Sequence, residues 1–105
     1  MTKVVFLRRR GQLVGFEATG HSGYADEGSD IVCAAVSAVT QTAAIQAQTV
    51  LNMKNAVTPD EDKALLRVVG DGNDSWAASL EAMRLFLTEL SAQYPGHLKI
   101  HITEV

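Results

Sequence analysis

The chemistry in this sequence is concentrated in one cysteine and one histidine. Cys33 is the only cysteine, and His21 precedes it by twelve positions. An imidazole beside a thiol can take its proton to generate a nucleophile and can then protonate the leaving group. The two residues are therefore a candidate nucleophile and general base. A small buried core cysteine and a solvated loop histidine are the alternative explanation of the same pair.

The expected position of Cys33 at the start of a helix supports the catalytic interpretation. Asp30 is suited to cap this helix, which puts Cys33 in the first turn. The unpaired N–H groups and the macrodipole of a helix N-terminus favour a thiolate. Asp30 also has the chemistry to orient His21, as the third member of such sites does. Ser37 lies one turn after Cys33 on the same face, where it either donates to the thiolate or bonds to its own helix.

A glycine-rich loop is predicted between the histidine and the helix, over residues 20–29. It begins with Gly20, and its Gly23 and Gly28 accept positive φ angles at little cost. We therefore predict that this loop folds over a molecule bound beneath it. Ser22 and Tyr24 are candidate contacts to that molecule, and ordinary surface positions are the alternative.

The elements around this segment predict an α+β fold, a mixed β-sheet with two long helices in the order β-β-α-β-β-α-β. The predicted strands cover residues 3–9, 13–19, 56–58, 64–69 and 98–103, and the predicted helices cover residues 30–54 and 75–94. A turn at residues 10–12 joins the first two strands. We expect one domain over residues 1–105.

Apolar periodicity predicts which faces are buried. In the first strand Val4 and Phe6 share a face, and in the second strand Val14, Phe16 and Ala18 share one. The predicted apolar stripe of the first helix consists of Val32, Val36, Val39, Ala43, Ala47 and Val50, widened by Ile31, Ala34 and Ala38.

Composition limits the classes of function. A net charge of −3 argues against nucleic acid as the main partner, and the three arginines at residues 8–10 are the only support for such a contact. No apolar run approaches the length of a transmembrane helix, so no membrane contact is expected and the cytoplasm is the predicted location. The spacing of His97 and His101 fits no metal site, and no cofactor is expected.

The run from Gly20 to Ser37, GHSGYADEGSDIVCAAVS, resembles the signature of the bacterial ribosomal-processing cysteine protease family, often called Prp. In that family a Gly-His pair precedes a glycine-containing loop, which is followed by Asp-Ile-Val-Cys-Ala-Ala-Val-Ser. The match includes Tyr24 and Gly28, and the spacing from histidine to cysteine fits. Ser22 departs from the alanine that is more frequent there.

The resemblance implies a thiol endopeptidase with Cys33 as nucleophile, His21 as general base and Asp30 as their partner. Its substrate would be the N-terminal extension of a large-subunit ribosomal protein, cut after aromatic residues, in support of ribosome assembly. The family is described as a homodimer whose glycine loop reorganises around the peptide. The alternatives are a non-catalytic ribosome-associated or RNA-binding module, and a different cysteine chemistry such as ester hydrolysis or redox sensing.

Overall fold

The fold is a five-stranded sheet with two helices packed against it. The computed structural model describes residues 1–20, 27–60 and 65–105, and for residues 27–30, 59, 60 and 65 it describes the backbone alone. In chain order the elements are β1 (Thr2–Arg9), β2 (Gln12–Thr19), α1 (Glu27–Ile45) continued by a π-helical turn (Gln46–Val50), β3 (Val57–Asp60), β4 (Leu65–Val69), α2 (Asp74–Gln93) and β5 (Leu98–Glu104). The predicted α+β class and element order are confirmed.

The sheet is mixed, with strand order β3-β4-β2-β1-β5. β1 lies between an antiparallel neighbour, β2, and a parallel neighbour, β5. β3 is an edge strand that starts one residue later and ends two residues later than predicted, and it contains Pro59. An edge strand tolerates proline because one side of the strand needs no N–H donor.

The β1–β2 hairpin is closed by a two-residue turn. Arg10 and Gly11 have φ angles of 55° and 78°. Positive φ at both central residues matches the twist of the flanking strands, which makes this the favoured geometry for a tight hairpin. The predicted turn is confirmed, although Gln12 already belongs to β2 and pairs with Arg9.

β2 bulges at Val14, which has no partner in β1 because the register shifts between Leu7 and Arg8. The bulge reverses the alternation of side chains, so Leu13 rather than Val14 joins the main apolar cluster. Val14 is nevertheless buried, outside that cluster, whereas Phe16 lies in the cluster and Ala18 packs against it as predicted. The carbonyl of Val14 accepts from the indole N–H of Trp76 at 2.9 Å, which ties the bulge to α2.

α1 begins at Glu27, three residues before the predicted cap. The prediction placed residues 27–29 in the loop because residues 20–29 are rich in glycine and polar residues, and a glycine costs a helix about 1 kcal/mol relative to alanine. Such a penalty is small compared with the packing of a long helix, so local propensity was overridden. Asp30 is inside the helix, and the assignment of Asp30 as the cap was wrong.

α1 ends earlier than predicted, at Ile45, and continues as one π-helical turn. In this turn the Leu51 N–H donates to the Gln46 carbonyl at 2.8 Å, five residues back. The wider turn changes which side chains face the sheet. Val50 is therefore 71% exposed, although the continuous pattern predicted it to be buried.

The buried stripe of α1 is narrower than predicted. Val32, Val36, Ala43 and Ala47 are buried, as predicted, and Val39 is half-buried. The predicted stripe was wrong for its exposed members, which are Ile31, Ala34, Ala38 and Val50. Thr40 is buried in their place because its hydroxyl donates to the Val36 carbonyl at 2.8 Å and is thereby satisfied.

The segment Ile31–Val50 is long and apolar enough, by length and composition, to cross a membrane. The expectation that no stretch reaches this length was wrong, because the segment lacks charged residues although glutamine and threonine interrupt its apolar runs. A core helix of a soluble protein can have the same length and apolar composition.

α2 follows its prediction within one residue at each end. The Asn73 side chain accepts from the Trp76 N–H at 2.9 Å and so caps the helix. The inner row is fully apolar and comprises Trp76, Leu80, Met83, Leu87 and Leu90. These side chains form the core together with the buried row of α1 and the inner faces of β1 and β2, where Val4 and Phe6 are buried as predicted.

Candidate functional site

The Cys33 thiol lies in a groove at the junction of the sheet and α1. The groove has a volume of about 260 Å³. It is formed by the start of β1, the end of β2, the middle of α1 and β4. Its lining residues are Thr2, Ala18, Thr19, Gly20, Cys33, Val36, Ser37, Thr40, Gln41 and Leu66. Cys33 itself is partly exposed, so the sulfur is accessible to a molecule in the groove.

Cys33 was predicted in the first turn of α1, and this prediction was wrong. Because the helix begins at Glu27, the cysteine lies nearly two turns into it. The stabilising effect of a helix N-terminus on an anion falls off within the first turn. A thiolate at Cys33 must therefore be stabilised by groups that approach the sulfur from elsewhere.

One such group is the hydroxyl of Thr2. Its oxygen lies 3.8 Å from the Cys33 sulfur, within range of a hydrogen bond to sulfur. Thr2 is the first residue of β1 and is only 5% exposed. Sequence analysis missed this residue, although the alternation through Val4 and Phe6 indicates that Thr2 shares their inner face.

Gly20 brings the end of β2 against the start of β1. Its φ angle is +89°, and a Cβ atom at this position would collide with the Met1 carbonyl oxygen. Only glycine fits such a conformation and such a close backbone approach. Gly20 therefore has a structural role at the edge of the groove, and its contact with a substrate stays a prediction. His21 is the next residue in the chain and lies outside the described residues.

Ser37 lines the groove one turn after Cys33, on the face of α1 where it was predicted. Its side chain is exposed, and its carbonyl accepts from the Thr40 hydroxyl at 3.3 Å. The two buried threonines of the groove, Thr2 and Thr40, thus differ. The hydroxyl of Thr40 bonds to its own helix, whereas that of Thr2 faces the sulfur.

The remaining predicted site residues are not described in enough detail to place their side chains. Ser22, Gly23 and Tyr24 lie outside the described residues, together with His21. Gly28 and Asp30 are in the first turns of α1, where the backbone alone is described.

A second cavity lies between the two helices and has different chemistry. Its volume is about 320 Å³, and apolar residues such as Val39, Leu80 and Met83 form most of its walls. Gln46 bridges the helices there by donating to the Ser79 hydroxyl at 2.6 Å. Its lining contains neither a cysteine nor a titratable side chain. The thiol groove is therefore the candidate site, although it is the smaller of these two cavities.

Two of the three arginines that supported an RNA-binding module, Arg8 and Arg9, pair with carboxylates of the protein. Arg8 contacts Glu104 at 2.5 Å, and Arg9 contacts Asp71 at 2.5 Å. Carboxylates beside these guanidinium groups reduce the positive potential that a phosphate backbone would require. These two ion pairs thus reduce the support for that alternative.

An accessible thiol in a groove beside a helix is typical of enzymes with a cysteine nucleophile. The sequence model of the family described as cysteine protease Prp matches residues 1–99. The chain belongs to this family and is a cysteine protease, as the signature around Cys33 predicted.

Solved structures show the same fold. The crystal structure of SMU.848 from Streptococcus mutans matches with a TM-score of 0.84 and 27% identity, over 100% of this chain and 96% of that one. The essential ribosomal processing protease Prp from S. aureus, in complex with a substrate peptide, matches with a TM-score of 0.81 and 20% identity, over 98% of this chain and 100% of that one. The same protease with a covalently linked product peptide matches with a TM-score of 0.77 and 21% identity, over 98% of this chain and 100% of that one. No curated protein sequence matches the chain.

Proposed function

We propose that this protease removes the N-terminal extension of a bacterial large-subunit ribosomal protein, with Cys33 as its nucleophile. The observation that carries the proposal is the position of the thiol in an open groove at the sheet–helix junction, in a chain of the Prp family. The structures of the S. aureus protease with a substrate peptide and a covalently linked product peptide support a peptide substrate here. Processing of this substrate assists ribosome assembly.

The proposed reaction proceeds through an acyl-enzyme. The Cys33 thiolate attacks the carbonyl carbon of the scissile bond, and the C–N bond breaks as His21 gives a proton to the departing amine. The acyl group stays on the sulfur as a thioester. His21 then takes a proton from water, whose oxygen attacks the thioester and releases the acid. Asp30 orients His21 in this scheme.

The peptide lies in the groove and contacts residues on both sides of the sulfur. Gly20 and Ser37 line the described part of the groove. Residues of the glycine loop, Ser22, Gly23 and Tyr24, and Gly28 at the start of α1 complete the proposed peptide contacts. No metal or cofactor takes part.

The test uses a synthetic peptide that spans the extension and the first residues of the mature ribosomal protein from the same genome. Wild-type protein and the variants Cys33→Ala and His21→Ala are incubated with it, and the products are identified by intact mass. We expect one cut by the wild type, none by Cys33→Ala, and a rate lowered by about 100-fold or more in His21→Ala. Cleavage by Cys33→Ala, or no cleavage by the wild type, would contradict the proposal.

A homodimer is the proposed assembly, and the outer face of α1 supports it. Ile31 and Ile45 are 43% and 59% exposed, and Ala34 and Ala38 lie exposed between them. No charged residue occurs between Asp30 and Lys54. An uncharged, apolar helix face of this length is unusual on a monomer, because exposed apolar patches mark contact sites. A second copy of the chain fits it, since a two-fold contact is self-complementary.

The dimer proposal is tested by Ile45→Glu on α1 and, as a matched control, Leu85→Glu on α2. Leu85 is 55% exposed, close to the value for Ile45. Sedimentation is expected to give the mass of two chains for the wild type and for Leu85→Glu, and the mass of one chain for Ile45→Glu. A wild-type monomer, or a dimer that tolerates Ile45→Glu, would contradict it.

The cytoplasm is the proposed location, because the proposed substrate is made and assembled there. Fractionation of cells that contain the tagged protein tests this. Recovery in the membrane fraction would contradict the cytoplasmic location and would indicate that the apolar segment Ile31–Val50 contacts a membrane.

A further inference from the structure

Thr2 has a fixed position beside the reacting thiol. Its N–H donates to the His97 carbonyl at 3.2 Å, and the residue pairs with Leu98 of the parallel strand β5. Thr2 also lies directly beside Lys3, which pairs with Thr19 of β2. Contacts on both sides of β1 therefore hold the backbone that carries the hydroxyl.

The identity of this residue is not explained by packing alone. Thr2 ends the inner row that continues with Val4 and Phe6, and all three side chains are nearly inaccessible to solvent. A valine has nearly the same shape and would bury no polar atom. A buried hydroxyl is unfavourable unless it has a hydrogen-bond partner, and the partner in this structure is the Cys33 sulfur at 3.8 Å.

The direction of this hydrogen bond depends on the protonation state of the cysteine. With a neutral thiol, either group can donate. A thiolate has no proton, so the threonine hydroxyl must donate to it. Hydrogen bonds to an ionised acceptor are roughly twice as strong as neutral ones. The contact therefore stabilises the thiolate more than the thiol.

Thr19 and Ser37 also bring hydroxyl groups to the described part of the groove, and the Thr2 hydroxyl is the one found within hydrogen-bond range of the sulfur there. Cys33 is the only titratable side chain among the lining residues. The helix N-terminus is nearly two turns away. The buried hydroxyl of Thr40 is directed to the Val36 carbonyl at 2.8 Å.

We propose that Thr2 is a positioning residue, which holds the Cys33 sulfur towards the groove and donates a hydrogen bond to its thiolate. The inference rests on the proposed function, in which Cys33 is the nucleophile. It adds the start of β1, far from the signature segment in sequence, to the parts that prepare the thiol for attack.

The experiment compares three variants with the wild type. Thr2→Val removes the hydroxyl and keeps the shape, Thr2→Ser keeps a hydroxyl, and Thr40→Val removes the other buried hydroxyl of the groove. The rate of Cys33 alkylation by iodoacetamide is measured from about pH 5 to 9, the range in which thiolates form. Cleavage of the extension peptide gives kcat and KM for each variant, and thermal unfolding verifies that each variant is folded.

In Thr2→Val, we expect the midpoint of the alkylation profile to rise by about half a pH unit or more, because the charge-assisted bond is lost. Its kcat should fall about 3- to 10-fold with little change in KM, because the loss acts on the nucleophile rather than on peptide binding. Thr2→Ser should have the same alkylation midpoint as the wild type, because it keeps a hydroxyl. Thr40→Val should also have the wild-type midpoint.

An alkylation profile of Thr2→Val that coincides with the wild type would overturn the proposal, and so would an equal shift in Thr40→Val. If Thr2→Val does not fold, Thr2→Ala removes the same hydroxyl and is judged by the same criteria. Failure of the proposed function has a different signature, because the wild type would then leave the peptide intact. The alkylation profiles would still decide whether Thr2 acts on the thiol.

Discussion

The two helices pack on the same sheet but present different surfaces. α2 buries large side chains such as Trp76 and Leu80 and carries charged residues, including Glu81 and Arg84, on its outer side. α1 buries small residues and shows solvent an uncharged face. The two helices therefore have different roles. α2 holds the core together, whereas α1 carries the thiol and the face proposed for a second chain.

The largest effect on stability is expected at Trp76, which has no exposed surface and donates to the Val14 carbonyl. Trp76→Ala should lower the free energy of unfolding by about 3–5 kcal/mol, because a large buried ring leaves a cavity. Urea denaturation of the wild type and the variant measures this loss of unfolding free energy. Trp76→Phe keeps an aromatic ring and should be less destabilising, and a loss below about 1 kcal/mol for Trp76→Ala would contradict the core role of α2.

The next contrast compares one inner residue of each helix. Leu80→Ala in α2 should cost about 2–5 kcal/mol. Val36→Ala in α1 removes two methyl groups from a side chain that is 5% exposed, for which about 1.6 kcal/mol is expected from transfer alone. Denaturation of both variants under the same conditions tests the order. An equal or larger loss for Val36→Ala would mean that α1 contributes as much to the core as α2.

The cap of α2 provides a smaller effect. Asn73→Ala removes the side-chain acceptor for the Trp76 N–H and should cost about 1 kcal/mol. For a domain of this size, such a loss lowers Tm by about 4–8 °C. Asn73→Asp retains an acceptor and serves as the control. An unchanged Tm in Asn73→Ala would show that the cap does not stabilise the helix.

The smallest effect concerns the outer surface of α2. The hydrogen bond from the Arg84 guanidinium lowers the pKa of Glu81. A depressed carboxyl pKa adds stability above the ordinary pKa of glutamate, and this contribution is lost as pH falls through the depressed value. Because Glu81 is largely exposed, solvent screens the pair and its effect on stability is small.

Carboxyl titration by NMR tests this pair directly. In the wild type, Glu81 should titrate below the usual glutamate range, and Arg84→Gln should return its pKa to that range. A Glu81 titration that does not respond to Arg84→Gln would contradict the assigned cause.

How much of the fold could be predicted depended on the helix. α2 was predicted within one residue at each end because the turn at residues 70–73 and the Pro95-Gly96 pair mark its boundaries and its large apolar residues recur at helical spacing. α1 was predicted with the wrong start, end and exposed face. Its alanine, valine and glutamine residues carry no such boundary signal, and a π-helical turn changes its phase in a way that periodicity does not reveal.

The candidate site shows the same limit. The signature around Cys33 identified the family, and the predicted site residues Gly20 and Ser37 line the groove beside the thiol. Thr2 could not be connected to Cys33 from sequence, because the contact joins residues 31 positions apart. The packing of α1 against the inner face of the sheet brings the two together.

The central claim is that the Cys33 thiol in this groove is the group that attacks the peptide. A direct measurement uses a peptide that ends at the cleavage site and carries a chloromethyl ketone in place of the scissile bond. After incubation, the adduct is located by mass spectrometry of the digested protein. The account predicts one adduct, on Cys33, whose formation is slowed by the uncleaved extension peptide. An adduct on another residue, or full cleavage activity after every Cys33 has been alkylated, would contradict it.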